Sequence, residues 1–356
     1  MKRMNYRKFA IIILCVLYAC LLSLALINII VDPYHIFQTP FLKQQPQPNE
    51  RYSKIEFLKK NKGRYNSYIM GSSRVGLTNT DIIEKYLPMA KFYNLSTALA
   101  VPYEHLLHLK YFIKNGYPLR NLYIGLDVDF CFGVKMHKDK DLLLKLHPGV
   151  SNRSRIRYYW SYLSVFPKTD IKRKLRLNFS GKEKPKVEWG ENGALGTESA
   201  GEGEHIFFED PRITPNVMIK NKVGKENLEV IKELVALCRQ HNIHLILFIT
   251  PHHKGIMDHF VEEDYLTFLK DLSEITPFWD FGGYNSITTN TKNYLDHSHY
   301  KSSVSRLMVA RIFNDKTLTV PEDFGVCVTQ ENIDSHLESL KIAIKKNRAG
   351  NGSLNL

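Results

Sequence analysis

Two short stretches of the chain carry residue types that can do nucleophilic chemistry. Gly71-Ser72-Ser73-Arg74 follows the apolar run NSYIM and precedes a helical pattern. A serine so placed projects from a strand's carboxyl end beside a helix start, where backbone N–H groups can stabilise an oxyanion. Asp296-His297-Ser298-His299 stands after the last strand pattern and before the last helix of the alternating region. In an Asp-x-x-His spacing the carboxylate can orient the imidazole while the other ring nitrogen faces a serine hydroxyl, which is what general-base activation requires. The plain alternatives are a Gly-Ser-Ser connector and an idle loop histidine. A third stretch, Pro251-His252-His253-Lys254, closes the most apolar strand pattern and can be a structural loop or a substrate contact. Asp296, His297 and His299 with His252 or His253 would also make a donor set suited to zinc.

The elements that must bring these stretches together read from the periodicity. Strand patterns fall at 65–70, 91–95, 121–127, 243–250 and 278–281, and helical patterns at 79–86, 103–114, 225–239, 261–275 and 302–313. Strands alternating with helices predict an α/β fold, a doubly wound five-stranded parallel sheet whose ligands bind at the carboxyl ends of the strands. Ser73 after the first strand and Asp296 and His299 after the last then meet at one sheet edge. Ile333, Leu337, Leu340 and Ile344 predict a C-terminal helix within 321–356, with AGNGSLNL as a frayed tail.

The alternation is interrupted at about 135–210. Residues 135–186 hold 15 Lys/Arg against 4 Asp/Glu, interleaved with Tyr158, Tyr159, Trp160 and Tyr162; residues 187–210 hold 7 acids, no Lys or Arg, and five Gly. This predicts an insertion: either a solvated lid or a surface for anionic lipid headgroups or polymer. Of the 356 residues 49 are Lys or Arg and 36 Asp or Glu, a net charge of +13 that asks for an acidic partner. Five cysteines without CxxC pairs exclude a zinc ribbon and a disulfide-stapled scaffold, leaving room for one optional disulfide.

From Phe9 to Val31 run 23 uncharged residues, enough to span the roughly 30 Å hydrocarbon layer and longer than the apolar core of a cleaved signal peptide. Lys2, Arg3, Arg7 and Lys8 crowd the N-terminal flank, whereas no Lys or Arg follows Val31 before Lys43. The positive-inside bias predicts a single-pass protein of the plasma (inner) membrane, with residues 1–8 cytoplasmic and everything beyond 31 extracytoplasmic. That location argues against a nucleic-acid partner and for surface polymers or an anionic membrane surface. Residues 32–60 read as a juxtamembrane linker and 61–320 as the main domain.

Ser73 in its Gly-x-Ser turn and Asp296-x-x-His299 resemble the SGNH (GDSL-like) hydrolase superfamily. The stretches IVDPYHIF, YIMGSSR, YNLSTALAVPYEHL and NSITTNTKNYLDHSHY are similar to its membrane-anchored extracytoplasmic branch, the D-alanyl transfer proteins of teichoic acid biosynthesis and the alginate O-acetylation proteins. The likeness spans about 30–130 and 225–315 and leaves the basic insertion unmatched. It implies an SGNH/flavodoxin-like fold, Ser73 as nucleophile, His299 as base and Asp296 as its orienter, and a multi-spanning membrane O-acyltransferase as partner. Two blocks depart from the family. Asn94 to Ala100 lack the oxyanion-hole glycine, Leu99 standing at the best aligned position, and Gly125-Leu126-Asp127-Val128 puts a carboxylate where an amide donor is expected. An ionised Asp127 would repel an oxyanion, so Arg74 enters as a replacement donor, and Asn94, Leu99, Asp127 and His253 stand with it as substrate or oxyanion candidates.

Two functions follow from different classes. One is an acyl esterase or O-acyltransferase working on a cell-envelope polysaccharide or another acyl-bearing polymer, with no cofactor. The other is a catalytically weak or inactive accessory protein of the same fold that grips an anionic polymer or a membrane partner.

Overall fold

The computed structural model describes residues 6–133, 135–136, 141–180, 189–195 and 221–351. The chain forms two compact units, Met1–Phe57 with Lys138–Val187, and Leu58–His137 with Glu188–Leu356. Its elements run α1 (Tyr6–Val31), α2 (Glu50–Lys60), β1 (Ser67–Met70), α3 (Thr80–Glu84), β2 (Phe92–Asn94), α4 (Pro102–Lys114), β3 (Asn121–Leu126), α5 (Val128–Gly133), α6 (Arg155–Leu163), α7 (Lys168–Phe179), α8 (Asn221–Gln240), β4 (His244–Ile249), α9 (Lys254–Met257), α10 (Glu262–Ile275), β5 (Phe278–Asp280), α11 (Ser302–Ile312), β6 (Val326–Val328) and α12 (Ile333–Asn351).

The second unit is a mixed α/β body around a six-stranded sheet of order β2-β1-β3-β4-β5-β6. Strands β1 to β5 are mutually parallel and β6 runs antiparallel to β5, Trp279 facing Cys327. The five-stranded expectation is therefore corrected by one edge strand. Val326-Cys327-Val328 is too short to show a period of two, and its pairing comes from the backbone of β5. Strand β1 lies between β2 and β3, so the chain leaves it first to one side and then to the other. At such a reversal the connections diverge and open a crevice at the strands' carboxyl ends. Ser73 follows β1 and Asp127 follows β3, at the carboxyl ends of these two neighbouring strands.

Buried strands explain the run of apolar residues in β1, β3 and β4, where both faces are covered. On one side Tyr68 stacks on Phe112 of α4 with ring centroids 4.5 Å apart. On the other Ile69, Tyr123 and Phe248 pack with Val304, Met308 and Val309 of α11. The C-terminal helix buries the four residues its spacing predicts, Ile333, Leu337, Leu340 and Ile344. It continues through Asn351, so the first part of the expected frayed tail is helical; residues 352–356 lie outside the described residues.

The first unit corrects the linker and insertion readings. Residues 32–49 are irregular, as their Pro and Gln content predicts, but α2 starts at Glu50, and Asn49 is buried with its side-chain amide donating to the Leu142 and Lys145 carbonyls and the Tyr162 hydroxyl. Tyr34, Ile36 and Tyr52 pack against Tyr158 and Tyr162, so two of the tyrosines interleaved with the basic residues build a core and Trp160 stays exposed. Lys174 is buried with its ammonium on the Asp32 carbonyl at 2.8 Å; burial pushes its pKa down to about 8 despite the Asp32 carboxylate. Helix α1 is 26 residues long, apolar and exposed along most of its length, long enough to cross a membrane. All five cysteines are free thiols.

Candidate active site

The turn after β1 is built so that Ser73 has little freedom. Any side chain at Gly71 would collide with Val75, 2.6 Å from the position of its Cβ, and press on the Gly125 carbonyl at 3.1 Å; only glycine lets β1 turn this close to β3. Ser72 caps the following 3₁₀ turn Ser73–Val75, its Oγ accepting from the Arg74 N–H at 3.1 Å. Asn94 at the end of β2 donates its amide to the carbonyls of Val75, Gly76 and Thr78. A small hairpin closed by a Trp189–Leu195 bridge lies behind the turn, with the Leu195 N–H on the Gly76 carbonyl. Part of the acidic, Gly-rich end of the expected insertion thus contributes an ordered brace over 189–195.

The loop before α11 is equally constrained. Tyr294 and Tyr300 form an antiparallel bridge around it, both fully buried, and the Leu295 N–H donates to the His299 carbonyl at 2.8 Å. Inside, Asp296 Oδ1 accepts from the backbone N–H of Ser298 at 2.7 Å and of His299 at 2.8 Å. Its two carboxylate oxygens lie 3.0 and 2.9 Å from His299 Nδ1. A carboxylate only accepts, so the proton sits on Nδ1, and Nε2 offers its lone pair to the Ser73 hydroxyl 2.9 Å away. Burial pushes the Asp296 pKa up, but the His299 bond and charge and the two backbone donors outweigh it and hold the carboxyl below its ordinary range. The three residues singled out from the sequence thus form one hydrogen-bonded chain with the polarity of a Ser-His-Asp triad.

The other predicted residues have different places. Arg74 is buried, and all three guanidinium nitrogens are occupied. Nη1 and Nη2 clasp Asp129 at 2.7 and 2.8 Å, Nη1 also lies 3.2 Å from Asp127, and Nε donates to the Ser298 carbonyl at 3.0 Å. Burial pulls the Arg74 pKa down, and the Asp129 and Asp127 charges more than restore it; burial likewise pushes Asp129 up, and Arg74 and His252 hold it far below the carboxylate range. The guanidinium stacks over Phe130, 4.8 Å from the ring centroid. Arg74 is thus a clamp between loops, and the expectation that it supplies an oxyanion donor is corrected, since each guanidinium nitrogen already has a partner within the protein.

The candidacy of Asn94 is corrected in the same way, because its amide is spent on the turn that carries Ser73. Asp127 is engaged by Arg74 and by the Thr250 hydroxyl, and its main-chain carbonyl starts α5. Its charge is compensated where it lies. Leu99 has φ +55°, the left-handed backbone that glycine adopts without cost, at the position where the resemblance expects glycine. The Ser73 N–H meets no acceptor among the described residues.

His253 caps α9, its Nδ1 accepting from the Gly255 N–H at 3.1 Å, and packs edge-on against Tyr294 and His297. Burial, then the neighbouring His297 and Lys254, bring its pKa down to about 4. His252 turns the other way, Nδ1 donating to the Thr250 carbonyl at 3.0 Å and Nε2 lying 3.0 Å from Asp129. The zinc alternative therefore finds its donors split between separate partners, and among the described residues no three His, Cys, Asp or Glu side chains are grouped to hold a metal ion. Sequence reasoning missed Asp129 and Ser298; the Asp-x-Asp at the end of β3, with an arginine beside Ser73, was the available signal. No protein-family model matches the chain, and a search of curated proteins returns no significant match.

Proposed function

We propose that the chain is a serine acyl esterase or O-acyltransferase of SGNH type. The observation that carries this reading is the unbroken Ser73–His299–Asp296 chain, with the base in the tautomer the reaction needs. Ser73 Oγ attacks an ester carbonyl and passes its proton to His299 Nε2. The collapsing intermediate expels the alcohol, which takes that proton and leaves the acyl group on Ser73. Water, or a hydroxyl of an acceptor polymer, then gives a proton to His299 and carries the acyl group away, restoring Ser73. Asp296 stabilises the imidazolium at both stages. The oxyanion is met by the Ser73 N–H. The sheet is read as the doubly wound SGNH arrangement, in keeping with the serine after β1 and the Asp/His pair before α11.

Helix α1 serves in this reading as a signal anchor, with the basic N-terminal flank cytoplasmic and the domain outside. The polymers within reach are then envelope glycans or teichoic-acid-like chains, and a multi-spanning O-acyltransferase is the partner that would hand over or receive the acyl group. A second reading, an accessory binder with weak or no catalysis, is favoured by one observation: Arg74 and Asn94, two side-chain donors expected to serve the oxyanion or substrate, are both committed to structure. Treatment of the detergent-solubilised full chain with a fluorophosphonate probe separates them. The enzyme labels on Ser73 and loses labelling in His299→Ala; a folded chain that does not label is the accessory protein.

A further inference from the structure

We infer that the α6–α7 hairpin is a membrane-interface paddle, seated in the headgroup and upper acyl region of the anionic leaflet from which α1 emerges. The inference rests on the reading of α1 as a bilayer-crossing helix.

The hairpin is joined to the exit of α1 by buried polar bonds. Asn28, one turn before the end of α1, is buried and donates its amide to the carbonyls of Leu163 and Val165 at 3.2 and 2.7 Å. Leu163 is the last residue of α6, where carbonyls have no partner within their own helix, and Val165 lies in the turn that follows. Val31 packs with Leu42 and Ile171, and Lys174 of α7 binds the Asp32 carbonyl. The turn between α6 and α7 is thus held level with the last turn of α1. At about 1.5 Å per residue the uncharged run 9–31 is slightly longer than a roughly 30 Å hydrocarbon core, so that last turn lies at the core's boundary.

What the hairpin presents there is not a solvated face. Ile156 and Trp160 stand one turn apart on α6 at 84% and 56% exposure, Phe166 in the turn at 57%, and Phe179 at the end of α7 at 77%. Arg155, Arg157, Lys168 and Lys172 are exposed among them. Residues 151–180 carry eight Lys or Arg and one acid, Asp170, whose carboxylate is taken by the Tyr34 hydroxyl. Bare aromatic and aliphatic side chains interleaved with cations are the composition of helices that lie in an interface, where rings sit at headgroup depth and cations meet lipid phosphates. Continuity with α1 and the one-signed charge select the bilayer over a protein partner.

The test uses the full chain in vesicles of phosphatidylglycerol and phosphatidylcholine carrying bromine high or low on the acyl chain, with the emission lost in Trp160→Phe taken as the Trp160 signal. The expected result is loss of at least half of that signal with the shallow label, less with the deep one, and a clear weakening when phosphatidylglycerol is omitted. A Phe179→Trp change in the Trp160→Phe background should behave alike. Trp160 quenched by acrylamide but by neither lipid label overturns the paddle, as does cross-linking between two copies through this face. Equal quenching without phosphatidylglycerol overturns the anionic preference. Alkaline carbonate extraction separates the two readings: a chain that leaves the membrane fails as an anchored protein, whereas one that stays with Trp160 unquenched fails only as a paddle.

Discussion

Arg74 donates from Nε to the carbonyl of Ser298 across 3.0 Å, joining the chain neighbour of Ser73 to the chain neighbour of His299. The same guanidinium is held at its other end by Asp129 and Asp127. Two loops more than 220 residues apart in sequence are thereby locked in register by a guanidinium that binds neither the Ser73 hydroxyl nor the His299 ring.

Arg74 is therefore expected to act on rate through position. Arg74→Ala leaves Asp129 and Asp127 buried without their cation and should cost about 3–5 kcal/mol of stability, measured by denaturant unfolding. Arg74→Lys keeps a charge but cannot reach both carboxylates and Ser298 at once. It should fold, lose roughly 10–100-fold in kcat toward a small activated ester, and leave KM nearly unchanged. A Lys variant of full kcat would remove the clamp from the mechanism.

Ser73→Ala and His299→Ala should each lower esterase turnover by about a thousandfold or more, with the double variant no worse than either single one, because residues acting as a unit are not additive. Asp296→Asn should lose less. Thermal midpoints should move little in the serine variant, since its hydroxyl binds one partner at a half-buried site.

Asp127→Asn tests where that carboxylate acts. If it faced the oxyanion, neutralising it would raise turnover. Its bonds to Arg74 and Thr250 predict the opposite: no gain in rate and a loss of stability of about 1–3 kcal/mol from the weakened charge pair. Steady-state rates and melting curves read together decide between the two.

Acidification should destabilise the chain through His253. Its folded pKa of about 4 lies below the 6.5 of an unperturbed histidine, so the unfolded chain takes up the proton first. Stability is full above about pH 6.5 and is lost as pH falls toward 4. His253→Asn retains an acceptor for the Gly255 N–H without a titrating ring, and its melting temperature should depend less steeply on pH across that window.

Much of the site was legible in the chain alone. The apolar run before Gly71, the Asp-x-x-His spacing, and the helical patterns around them are local properties: a period of two or 3.6, a glycine at a turn, a carboxylate three residues from an imidazole. From these the strands, the helices and the three residues of the triad follow, because each depends on neighbours within a few positions. The apolar character of α1 was read in the same way. The role of every residue around the triad was decided by tertiary structure. Arg74, Asn94 and Asp127 all looked available to substrate, since nothing nearby in sequence occupies them, and each is consumed by a partner from another segment: Ser298, the Val75–Thr78 turn, Thr250. The sixth strand and the core under Tyr158 and Tyr162 escaped for the same reason, being defined by pairing with β5 and packing against Tyr34 and Tyr52. Hydrogen-bonding capacity and exposed area are finite, and which group spends them is fixed only when distant segments meet.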